Sequence, residues 1–214
     1  MINLQWILRL GLALMSAWSP LTQAGAYEDM LQAIRIDDET AIRALFQRGM
    51  DVDTVSPKGE TLLMLAVREG KPQVVQTILT ARPKLHLRNP LGESALMLAT
   101  IQGHSEIARL LLDAGAPVNH TGWTPLIYAA VRNRVDIGRM LVGKGAEVNA
   151  TADNGTSALM MAAREGHLEM LLFLMEHGAD AKYVSPHGLS ALSLARQRGH
   201  AAIEAVLVKA GVQE

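Results

Sequence analysis

Seven histidines are the first residues in this chain whose types suggest chemistry. His104-Ser105-Glu106 and His167-Leu168-Glu169 share one spacing, and His200 stands in matching surroundings. Imidazoles with carboxylates nearby can ligate zinc or act as general bases. That chemistry requires a scaffold that brings His104, His167 and His200 into one row. No His-Glu-x-x-His, no Gly-x-Ser-x-Gly and no complete Gly-x-x-x-x-Gly-Lys-Ser/Thr phosphate loop accompanies them. Cysteine is absent, which excludes thiolate ligands, cysteine nucleophiles and disulfides. Asp37-Asp38 reads as solvated surface, and Arg132, Arg134 and Arg139 have Asp136 and Glu147 nearby. With 20 Lys+Arg against 21 Asp+Glu, the net charge of −1 makes a poor electrostatic partner for nucleic acid. The expectation is a non-enzymatic protein with no catalytic residue, no metal and no cofactor.

The elements that would position these residues come from a repeat. Gly59, Gly92, Gly122, Gly155 and Gly188 recur at intervals of 33, 30, 33 and 33. A second series reads Gly70, Gly103, Asn133, Gly166 and Gly199, and a third includes Gly115, Gly145, Gly178 and Gly211. The three-residue shortfall falls between Gly115 and Gly122, in a loop, so the helices on either side keep their register. Two places after each opening glycine stands Thr61, Ser94, Thr124, Ser157 or Ser190, a natural helix N-cap. A short helix with a central alanine follows (Ala66, Ala99, Ala129, Ala162, Ala195). The second series ends it, and a longer helix runs on to the third.

Gly122-Trp123-Thr124-Pro125-Leu126-Ile127-Tyr128-Ala129-Ala130 closely resembles the ankyrin signature, as does Gly166-His167-Leu168-Glu169 followed by Leu171-Leu172 and Gly178-Ala179-Asp180-Ala181. The resemblance covers about residues 27–214 in six units, about 27–58, 59–91, 92–121, 122–154, 155–187 and 188–214. It implies an all-α solenoid of helix-turn-helix units with β-turn fingers, and gives His104, His167 and His200 a loop hydrogen-bonding role. The signature Pro is Leu62, Ala95, Ala158 and Ala191, and Arg82-Pro83 replaces Gly-Ala in the second unit. The first and last units are expected to be caps, since an open solenoid end exposes its core. The Asn-x-Thr sequons at Asn119, Asn149 and Asn154 are explained by turn chemistry.

The resemblance also implies a binding surface on the finger tips and the exposed side of each first helix. Those offsets place Leu91, Ile101, Trp123 and Val131 on the concave side, rimmed by Arg132, Arg164 and Glu165. Apolar residues there have no core to fill and would contact a protein partner. The shortened loop is expected to leave a notch beside Trp123, unless Trp123 itself folds over the loop. Tyr128 matches a core position and ranks below these residues. Leu172 is expected to face outward as a second contact.

Residues 1–26 differ from the rest. Arg9, the apolar run from Leu10 to Trp18, the breaker Ser19-Pro20 and Ala24-Gly25-Ala26 form the pattern of a secretory signal peptide cut after Ala26 or Ala24. The stretch from Ile7 to Trp18 is short for a bilayer span. The sequence reading is therefore an exported, periplasmic or secreted monomer. It binds an unidentified protein and does not insert in a membrane once the leader is removed. Alternatives are a secreted effector, an inhibitor or protector of an enzyme, and a metal-binding protein built on the histidine row.

Overall fold

The computed structural model describes residues 20–213. These form twelve helices: α1 (Pro20–Ile36), α2 (Glu39–Gln47), α3 (Leu62–Arg68), α4 (Pro72–Thr80), α5 (Ala95–Gln102), α6 (Ser105–Asp113), α7 (Pro125–Val131), α8 (Val135–Gly143), α9 (Ala158–Glu165), α10 (Leu168–Glu176), α11 (Ala191–Arg198) and α12 (Ala201–Lys209). Odd helices pack on odd and even on even, so two rows of helices stack side by side. The expected all-α solenoid is what forms.

The local reasons lie in the repeat. Thr61, Ser94, Thr124, Ser157 and Ser190 each accept a hydrogen bond from the backbone N–H three residues on, at 3.0 to 3.3 Å. Each such cap stabilises its helix by about 1 kcal/mol, which matters for helices of seven or eight residues. Gly103, Gly166 and Gly199 close three of these helices in the left-handed conformation, and Asn133 occupies the same region at φ 52°. Ala66, Ala99, Ala129, Ala162 and Ala195 have no exposed surface, so the odd helices approach closely along that column. One apolar core runs continuously from Ala26 to Val212.

Units are also stitched through polar groups. Asp53 Oδ1 accepts from Lys84 N at 2.9 Å, and Asn119 Oδ1 from Glu147 N at 2.9 Å. Asn149 Oδ1 accepts from Asp180 N at 2.8 Å, while its Nδ2 donates to the Gly178 carbonyl at 2.9 Å. Two of the three sequon asparagines therefore tie one unit to the next. The last unit is closed by charge. Arg196 stands where inner units bury Val67, Thr100, Ala130 and Ala163, and its Nε donates to Glu204 at 2.8 Å. Glu204 itself takes the position of buried Val75, Ala108 and Leu171.

At the other end, residues 1–19 of the expected leader lie outside the described residues. Pro20 opens α1, where a missing N–H is harmless, and the run it was expected to interrupt lies outside the described residues. The expected cut after Ala26 falls within α1, and Ala26 is buried there.

Candidate binding surface

Four fingers are held by two devices. A single antiparallel bridge joins Val55 to Thr61, Arg88 to Ser94, Thr151 to Ser157 and Val184 to Ser190. In all four a side chain also accepts from the turn's N–H groups: Ser56 from Lys58 and Glu60, Asn89 from Leu91 and Glu93, Asn154 from Thr156, and Ser185 from Leu189. The shortened finger before Trp123 lacks the residues for both, and has no such bridge. His120 takes up the slack. Its ring bonds to the Pro117 backbone, while Nε2 is buried with no partner among the described residues.

Burial, and then the charge of Arg88, hold the His120 imidazole below its ordinary value near 6.5; the Pro117 bond acts in the opposite sense. As pH falls, the unfolded chain protonates first, so this finger contributes stability that is present above about pH 6.5 and lost as pH falls toward the lowered folded value. Melting curves at pH 7.5 and pH 5 are expected to show a smaller acid-induced drop for His120→Gln than for the unaltered chain. Equal drops would remove His120 from the account.

Beside this finger, Trp123 lies on Tyr128, with ring centroids 5.3 Å apart and planes at 39°. Trp123 keeps 37% of its surface exposed. It is thus partly covered, with the Tyr128 ring against it. Leu91, at the tip of the preceding finger, is 79% exposed. Ile101 is half-buried, Arg132 is exposed, and Arg164 pairs with Glu165 at 3.3 Å. Val131 is half-buried and packs partly against the core, and its carbonyl bonds to His167 Nε2 at 3.1 Å. Tyr128 belongs to the site more than its core-like position suggested. It is half-buried, and burial and then the Glu93 carboxylate raise its phenol above its ordinary range. Leu172 faces outward as expected, at 47% exposure.

The histidine row does not converge. His200 Nε2 bonds to the Arg164 carbonyl at 3.1 Å, just as His167 bonds to Val131, so each ring reaches back to the preceding unit. Among the described residues no three His, Asp or Glu side chains group to hold a metal. Two of the three arginines near unit four are spoken for elsewhere: Arg139 lies 5.0 Å over the Phe173 ring, and Arg134 Nη2 donates to the Gln102 carbonyl at 3.4 Å. No described helix is long and apolar enough to cross a membrane.

Family models of ankyrin repeats match residues 63–152 and 141–195. No curated protein matches the chain significantly. Among solved structures, a chain in the complex of the predatory endopeptidase Bd0816 from Bdellovibrio bacteriovorus with the immunity protein Bd3460 is similar at 28% identity and TM-score 0.75. The match covers 85% of this chain and 97% of that one. The ankyrin repeat domain of Bcl-3, a member of the IkappaB protein family, is similar at 27% identity and TM-score 0.77, over 86% of each chain. Helix pairs, capped fingers and matching repeat models agree: the chain belongs to the ankyrin repeat family.

Proposed function

We propose that this protein is an exported, monomeric scaffold that recognises another protein through its finger tips and the inner side of its odd helices. The observation that carries this is Leu91, almost fully exposed at a finger tip, together with the half-open Trp123–Tyr128 pair beside the interrupted finger. An aliphatic and an aromatic anchor on a pre-ordered frame bind with little loss of chain entropy. Ankyrin repeats are protein-interaction scaffolds, which supports the class of function. A narrower reading, that the partner is an enzyme this protein inhibits or protects against, is supported by the likeness to a chain of an endopeptidase–immunity protein complex.

Affinity capture from the native compartment tests the proposal, with the double variant Leu91→Ala, Trp123→Ala beside the unaltered chain. The variant must first show unchanged helicity and melting. A protein retained by the unaltered chain and lost by the variant is the expected result, and a hydrolase in that position would support the narrower reading. A partner held equally by both would move the site elsewhere. N-terminal sequencing of the same material is expected to begin at Tyr27, and an intact Met1 would end the export reading. Light scattering is expected to give the mass of a single chain.

A further inference from the structure

Successive units place related residues at the same two positions, eight apart: Glu60 and Arg68 in the second unit, Glu93 and Ile101 in the third, Trp123 and Val131 in the fourth. In the second unit the pair is complete. Glu60 is buried and its carboxylate accepts directly from Arg68 Nη2. In the third unit the glutamate is kept and the arginine is not. Glu93 is half-buried, accepts from Asn89 Nδ2 at 2.8 Å, and forms no ion pair among the described residues. Its own chain supplies it with one neutral donor where the second unit supplies a guanidinium.

The surroundings of Glu93 suit the missing group. Trp123 and Tyr128 present a partly exposed aromatic pair, and the Tyr128 phenol is close enough to feel the Glu93 charge. A second carboxylate, Asp153, lies 3.6 Å from where a Cβ on Gly122 would stand, next to Trp123. Arg88 is directed to the Thr121 carbonyl at 3.4 Å. A guanidinium is planar, stacks on aromatic faces and donates in a fork to a carboxylate, whereas an ammonium offers a point charge alone.

We infer that Glu93, Trp123 and Tyr128 form a seat for an arginine side chain of the partner protein, filling the role that Arg68 fills within the second unit. This inference rests on the proposed binding face. The partner contacts Leu91 with an apolar group and places its arginine one finger further along.

A display library of random twelve-residue peptides selected on the purified chain tests it. The expected result is enrichment of peptides with one arginine beside an apolar residue, and loss of their binding on the Leu91→Ala, Trp123→Ala variant. Glu93→Gln keeps an oxygen for Asn89 and removes the charge, and is expected to weaken those peptides by about tenfold or more. Ile101→Arg rebuilds the internal pair of the second unit and is expected to block the seat to a similar degree, and to weaken these peptides more than Ile101→Gln, which removes the same apolar contact without supplying a charge. Peptides that depend on Leu91 and Trp123 but show no arginine preference, or that ignore Glu93→Gln and Ile101→Arg, would overturn the arginine seat and leave the binding face standing. No peptide dependent on Leu91 and Trp123 would overturn both.

Discussion

Replacing Ile137 with alanine is expected to lower stability by about 2–5 kcal/mol and the melting temperature by roughly 4–20 °C. Ile137 has no exposed surface, and its helix α8 is packed between α6 and α10. A deletion there leaves a cavity in the middle of the array. Because each unit touches only its neighbours, the damage also weakens the coupling between the two halves. The unfolding transition should therefore broaden as well as shift. Leu207→Ala is the matched control: it is equally buried, but in α12, the last of the described helices. Its effect should be concentrated in faster hydrogen exchange of α11 and α12. Equal shifts and equal broadening from the two variants would contradict nearest-neighbour coupling.

A comparably large effect is expected from Gly155→Ala. The backbone there has φ +73°, where a Cβ costs about 1–2 kcal/mol. The added carbon would also stand 2.5 Å from Pro186 Cδ and 3.1 Å from Ser185 Cβ in the next finger. A proline ring cannot swing aside, so the two fingers must part, and the total loss should reach about 2–4 kcal/mol. Gly178→Ala isolates the contact: its φ is +85°, but nothing lies within 4 Å of the new carbon. It should cost only the conformational share, about 1–2 kcal/mol. Denaturant midpoints for the two variants measure the difference. If they coincide, contact between the fingers contributes nothing.

Most of the fold was legible because each unit carries its own local instructions. A hydroxyl two places after a glycine is a cap wherever it occurs, and all five accept the bond expected of them. The alanine column is periodic, so its burial followed from the repeat. The site was less legible because it consists of departures from that period. Val131 shares its position with exposed Arg68, and only the packing of the neighbouring unit shows that it is drawn partly into the core. Tyr128 aligns with Leu65 and Met161, and nothing in that alignment says that its ring meets Trp123. Glu93 stands out only once Glu60 is seen to pair with Arg68, a contact between a finger and a helix end that sequence spacing alone does not reveal. The role of His120 was hidden for the same reason, since it compensates for turn residues that are missing.

The pair Arg196–Glu204 has a consequence for how such an array can lengthen. Copying the last unit onto its own end would press both side chains between two units, where Ala163 and Leu171 now lie fully buried. A desolvated ion pair is a poor exchange for that apolar contact. Copying the fifth unit in place meets no such obstacle, because both of its faces already match their neighbours. Growth by duplication is thus open in the interior of this chain and closed at the unit that carries Arg196 and Glu204.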